Sequence, residues 1–184
     1  MAAGNQNKDL RALKTEKALR SAMTILLNKK NFNKITITDL CAEAMICRAT
    51  FYAHYIDKYD LLKHSLKHLD WEDIGKRNTY EQAEELINKF VQKNETVIRN
   101  LLYDADTETL DILFEFILST INFVVEKGRN EKMNPKYTVL SNFYAGGMLH
   151  YFSWQVKNQF PPEVTTMNKY LYKLMGKLRD LDKE

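Results

Sequence analysis

The sequence predicts an all-α fold, and three observations carry that expectation. Only six Gly and three Pro punctuate 184 residues, too few turn residues for a chain of many short strands. Apolar residues recur at three- and four-residue spacing along most of the chain, the period of a helix with one buried face. The composition, 45% hydrophobic and 28% charged, suits solvated helices around a core and argues against disorder. The length fits two small domains, with a boundary expected between residues 57 and 58.

The first helix is expected from Lys14 to Lys29, where Ala18, Leu19, Ala22, Met23, Leu26 and Leu27 form an apolar stripe. Polar residues around Phe32 end it. A new start follows at Thr36, whose hydroxyl is placed to accept the amide hydrogen bond of Asp39, with the Asp39 carboxylate in the first turn. This marks a short helix from Ile37 to Ala44. A third short helix is expected from Arg48 to Tyr55, and a fourth, capped by Asp57, runs through Leu61, Leu62, Leu66 and Leu69 to about Trp71.

Beyond Gly75 the pattern shifts to longer helices, expected over Tyr80–Lys93, Glu95–Tyr103, Thr107–Lys127, Lys136–Asn158 and Glu163–Asp180. Gly128 to Pro135 is the clearest linker, and Phe160-Pro161-Pro162 stops the helix before it. No stretch approaches the roughly 18 apolar residues of a membrane span. The polar start, Met1 to Lys8, lacks the apolar core of a signal peptide. A cytoplasmic location and no membrane partner are therefore expected.

Three short helices, the second and third joined by a tight turn, form the pattern of a helix-turn-helix, whose last helix reads the major groove. Phe51 and Tyr55 lie four apart and share the face that packs toward Leu40, Ile46 and the first helix. That leaves Arg48, Ala49, Tyr52 and His54 toward a duplex. The charge distribution agrees: residues 1 to 70 carry 12 Lys and Arg against 7 Asp and Glu, a net of +5, whereas the remainder carries 15 against 17, a net of −2. A basic first third suits a polyanion, although a solvated basic face has the same composition.

The run from Thr36 to Ala44, then Ile46 to Tyr55, then Asp57-Lys58-Tyr59-Asp60-Leu61-Leu62, resembles the DNA-binding signature of the TetR family. Its most specific part is Thr50-Phe51-Tyr52-Ala53-His54-Tyr55 followed by Asp57-Lys58. The resemblance implies a helix-turn-helix head joined through its fourth helix to a helical body that binds an effector and dimerises. It further implies that Arg48 and Ala49 face base edges, and that Thr50, Tyr52 and His54 lie against phosphates or bases. Thr36, Thr38 and Lys58 would contact phosphates at helix starts. Arg48 alone of these has the fork for a bidentate contact to guanine, worth about 1 to 3 kcal/mol of discrimination. Two positions depart from the family pattern, which has Gly and then Ser in the turn where this chain has Met45 and Cys47. Met45 is expected either to adopt a left-handed conformation or to reshape the turn, at a cost of about 1 kcal/mol, and Cys47 to cap more weakly than Ser.

In the remainder, aromatic and Met residues are dense, and Phe90, Phe114, Ile117, Tyr144 and Met148 are candidate walls of a cavity for a small apolar or aromatic effector. Gly146 and Gly147 interrupt a strong helical pattern, and close approach of another helix would compensate. With Tyr151, Leu171, Leu174, Met175 and Leu178 they are candidate dimer contacts, since this half resembles, more loosely, a TetR subgroup whose last two helices pair. Dimerisation also has a physical motive: two heads about 34 to 36 Å apart read successive faces of a palindrome.

No Gly-rich phosphate loop, Ser nucleophile elbow or carboxylate pair suggests catalysis, and no cofactor is expected. His64 and His68 share a face but lack a third ligand, so no metal is assigned. Cys41 and Cys47 are expected to be buried free thiols. The resulting expectation is a DNA-binding transcriptional regulator, most simply a repressor released by an effector. The alternative is a coactivator or protein-interaction module that keeps the fold and binds no operator itself.

Overall fold

The structure, a computed structural model, describes residues 3–67, 92–129 and 134–160, together with 166, 167, 169, 170 and 173. Seven α-helices and one 3₁₀ turn, with no strand, occur among the described residues. They are α1 (Ala3–Leu27), the 3₁₀ turn Phe32–Lys34, α2 (Ile37–Glu43), α3 (Arg48–Tyr52), α4 (Lys58–Lys67), α5 (Glu95–Leu102), α6 (Thr107–Arg129) and α7 (Pro135–Lys157). The all-α expectation holds. The helices expected over Tyr80–Lys93 and Glu163–Asp180 lie largely outside the described residues.

The chain divides into two compact units, one of residues 1–69 and 99–112, the other of residues 70–98 and 113–184. In the first unit α1 packs against α2 and α4, and α2 against α3. The core here is Leu19, Met23, Phe32, Ile35, Leu40, Phe51, Leu61 and Leu62, all essentially without solvent contact. Each such side chain contributes roughly 1.5 to 3 kcal/mol relative to an exposed one. Helix α1 starts well before Lys14 because Leu10 to Leu13 are strong helix formers. Leu10 and Leu13 are exposed, so this stretch leaves no burial pattern to read in the sequence.

The Thr36 cap expected at α2 is present, and a second bond that was not expected reciprocates it. Thr36 Oγ1 accepts from the Asp39 amide at 3.1 Å, and the Thr36 amide donates to Asp39 Oδ2 at 2.8 Å, a reciprocal box. Asp57 Oδ1 likewise accepts from the amides of Tyr59 and Asp60, both at 2.8 Å, and starts α4.

In the second unit, Asn134 caps α7 by accepting from the Tyr137 amide at 3.1 Å, with Pro135 at the first helical position. Met148 of α7 is buried against Ile117 and Ile121 of α6 and Tyr144 and Phe152 of its own helix. The helix ends in a double turn: the Phe160 amide donates to Gln155 O at 2.8 Å and the Gln159 amide to Val156 O at 3.1 Å, with Gln159 left-handed at φ 55°. Among the described residues no helix is long and apolar enough to cross a membrane.

Candidate nucleic-acid interface

The turn between α2 and α3 is built by the backbone. The Ile46 amide donates to Cys41 O at 3.0 Å and the Met45 amide to Ala42 O at 3.2 Å, the paired bonds of a Schellman motif with Met45 at the position usually taken by Gly. Met45 has φ 54°, the left-handed one of the two alternatives its place in the turn allows, and it is 91% exposed. Cys47 then occupies the N-cap of α3 without a side-chain capping bond to the backbone. Its Sγ instead lies 3.2 Å from Thr50 Oγ1, a contact that lowers the thiol pKa. Both cysteines are free, and the expectation that both are buried needs correction: Cys41 is buried, but Cys47 is exposed, because a capping residue stands at the mouth of its helix.

Helix α3 is shorter than expected, five residues ending at Tyr52, with Ala53 as C-cap. The amides of His54 and Tyr55 both turn back to Phe51 O at 2.9 Å, so the chain tightens into a turn before Tyr55. Two faces result. Phe51 and Tyr55 are buried and anchor the helix, their rings 6.1 Å apart. Arg48, Ala49 and Tyr52 are exposed, and Thr50 is half-buried.

Thr38, exposed in the first turn of α2, joins this edge: Arg48 Nη2 donates to Thr38 Oγ1. Nothing in the sequence spacing signalled that pair. Thr36 is exposed beside it, but its hydroxyl also donates to Asp39 Oδ2 at 2.7 Å. Lys30 Nζ donates to the same Oδ2 at 2.7 Å. These bonds, from Lys30 first and Thr36 second, lower the Asp39 pKa to about 2.

Two residues expected at this edge stand elsewhere. The His54 side chain is only 16% exposed, and its Nδ1 lies 3.6 Å from Glu16 Oε1 of α1. Lys58 turns inward, donating to the carbonyls of Phe32 at 3.1 Å and Asn33 at 3.3 Å. Its ammonium also lies 4.6 Å from the centroid of the Phe32 ring, and burial lowers its pKa. The Phe32 carbonyl, which also accepts the Ile35 amide at 3.0 Å, and its neighbour at Asn33 attract this cation, a tertiary contact that helix-start position alone does not reveal.

In the second unit, the candidate cavity residues Ile117, Tyr144 and Met148 do come together, with Ile121 and Phe152 as partners that the sequence did not single out. A Cβ on Gly146 would lie 3.9 Å from Phe114 Cε2, an ordinary contact, and one on Gly147 would meet nothing within 4 Å. The close approach expected at these glycines is therefore not made by the described residues of the chain itself. Tyr151 stacks on Trp154 at 6.1 Å between centroids. Phe90, Leu171, Leu174, Met175 and Leu178 lie outside the described residues. No group of three His, Cys, Asp or Glu placed to hold a metal occurs among the described residues.

The arrangement of these helices recurs in solved proteins. A TetR transcriptional regulator from Streptococcus agalactiae 2603V superposes with a TM-score of 0.64 over 93% of this chain and 98% of its own, at 24% sequence identity. The fold is that of the TetR regulators. Two further proteins share this TetR-type fold. The dihydroxyacetone kinase operon activator DhaS superposes at a TM-score of 0.59, with 13% identity, over 89% of this chain and 95% of its own. NalD, the secondary repressor of the MexAB-OprM multidrug efflux pump in Pseudomonas aeruginosa, superposes at 0.52, with 16% identity, over 90% and 96%. In sequence, the chain is 41% identical over 56 residues to YxbF of Bacillus subtilis (strain 168), an uncharacterised helix-turn-helix-type transcriptional regulator. That match spans 30% of this chain and 15% of the relative. No family model matches the chain.

Proposed function

We propose that this chain is a sequence-specific, DNA-binding transcriptional repressor of TetR type that acts in the cytoplasm as a homodimer on a palindromic operator and is not an enzyme. The observation that carries the reading is the two-faced α3: Phe51 and Tyr55 fix it to the core, while Arg48, Ala49 and Tyr52 stand exposed with Thr38 alongside. A short helix anchored on one side and polar on the other is the geometry that enters a major groove. Thr36, Thr38 and Thr50 serve as phosphate contacts and Arg48 as the base reader, its fork oriented by Thr38. His54 and Lys58 are reassigned from direct contact to support of the head.

In this reading residues 1–57 bind DNA and residues 58–184 bind an effector and dimerise. A small apolar or aromatic effector entering near Phe114, Ile117, Tyr144 and Met148 would favour a conformation that misaligns the two heads. The test is retardation of duplexes selected by the chain from a randomised pool. Arg48→Ala is expected to weaken retention about 10- to 100-fold and relax base preference at one position in each half-site. Wild-type protein that selects no sequence rejects the proposal.

One observation favours a second reading. Met45, an exposed apolar side chain held left-handed beside the recognition helix, suits a protein-interaction module better than a groove reader. Its mark would be Arg48→Ala leaving regulation intact while substitution of Met45 abolishes it.

A further inference from the structure

Residues 99–112 follow the fourth helix at a distance in sequence, yet they belong to the same compact unit as the helix-turn-helix. Three side chains hold them there. Asn100 Nδ2 donates to the carbonyl of Leu27, the last residue of α1, at 2.8 Å. Asn33 Nδ2 donates to the carbonyl of Asp104, a residue held left-handed at φ 54°. The Tyr59 hydroxyl donates to Asp106 Oδ2 at 2.6 Å, the length of a charge-assisted bond.

The two oxygens of Asp106 have different partners. Oδ1 accepts from the Thr109 amide at 2.9 Å and caps α6. Oδ2 takes the phenol of Tyr59, which sits in the first turn of α4, two residues after the Asp57 cap. The Tyr59 ring stands edge-on to Phe32 at 5.3 Å, and Lys58 holds the carbonyls of Phe32 and Asn33. One carboxylate thereby fixes the start of α6, the start of α4 and, through Phe32, the loop that leads into α2. The bond pushes the Tyr59 pKa up to about 12. Burial raises the Asp106 pKa, but the bonds from Thr109 and Tyr59 and the charge of Lys58 outweigh it and leave it lowered.

We propose that Tyr59 and Asp106 are positioning residues for duplex binding: their hydrogen bond holds the α3–α4 junction in the pose in which the Arg48 edge meets the groove. The assignment rests on the DNA-binding reading above. Neither residue belongs to that edge, so each acts through the position of α4, whose first turn follows α3 by only a few residues. Without the bond, α4 samples other poses, and apparent affinity falls with the competent fraction.

The full-length chain with Tyr59→Phe keeps the ring against Phe32, and Asp106→Ser keeps a capping oxygen but has no second one for the phenol. With a duplex selected by the wild-type chain, each change is expected to weaken binding about threefold to tenfold. The double variant should be no weaker than either single one, the signature of a shared interaction. The slope of affinity against salt stays at the wild-type value, because no phosphate contact is removed. In a spectrophotometric titration of the tyrosines, Asp106→Ser should bring one phenol down from about 12 toward the ordinary range. Wild-type affinity in Tyr59→Phe, losses that multiply in the double variant, or a shallower salt slope would each overturn the assignment while leaving DNA binding itself intact. A wild-type chain that retains no duplex would instead overturn the DNA-binding reading and this assignment with it, even if the titration shows the bond to be present.

Discussion

Replacing Met45 with Gly is expected to make the protein more stable, although it removes a large side chain. At φ 54° an L-residue crowds its own Cβ against the next carbonyl, at a cost of about 1 to 2 kcal/mol that Gly does not incur. Against this, Gly loses more backbone entropy on folding, roughly 0.5 to 1 kcal/mol. The side chain is 91% exposed, so its removal forfeits almost no buried apolar area. The balance is a gain of about 0.5 to 1 kcal/mol, which for a chain of this size is a rise of roughly 1 to 4 °C in Tm. Thermal unfolding followed by circular dichroism measures the shift, and urea unfolding should show a higher midpoint at an unchanged m-value. Asn, which tolerates the left-handed region, should fall between Met and Gly. A lower Tm for Met45→Gly would refute the reasoning, since it would mean either that the Met45 side chain is packed or that the turn does not hold the left-handed conformation.

Three further outcomes follow from the geometry. Asp39, with its pKa lowered from 3.8 to about 2, contributes stability that is fully present above pH 4 and lost as pH falls through the folded-state value, so the acid limb between pH 4 and 2 should flatten in Asp39→Ala. The full shift corresponds to about 2.4 kcal/mol, but the side chain is 34% exposed and solvent screening reduces the contribution to about 1 kcal/mol; equal acid limbs in the two proteins would contradict it. Gly147 has open space where a Cβ would stand, so Gly147→Ala should raise stability by up to about 1 kcal/mol through helix propensity. In the homodimer proposed above, with a second copy seated on that face, Gly147→Trp should shift the protein toward monomer in sedimentation, and a Gly147→Trp protein that still sediments as a dimer would refute that seating.

The elements that the sequence predicted best are those whose signals are local. The Thr36 and Asp39 capping box, the Asp57 cap and the Met45 turn are each set by residues within a few positions of one another. The alternation of buried Phe51 and Tyr55 with exposed Arg48 and Tyr52 was legible for the same reason. Helix ends were less so. The reading of α3 to Tyr55 overshot because the tight turn after Tyr52 keeps the same residues on the same side. Helix α1 begins before Lys14, and Leu10 and Leu13 ahead of that point are exposed, so they carry no apolar stripe that would mark it.

Sequence alone therefore determined that the chain is helical and that its third helix carries, in Arg48, a side chain with the fork for a bidentate hydrogen bond, because periodicity, capping and side-chain chemistry act over one or two turns. The tertiary structure decided where long polar side chains go. Lys58 found carbonyls near residue 32, His54 found Glu16, and Tyr59 found Asp106. Such choices depend on which donor and acceptor the packed helices bring within about 3 Å, and a partner 47 positions away leaves no period in the chain to announce it.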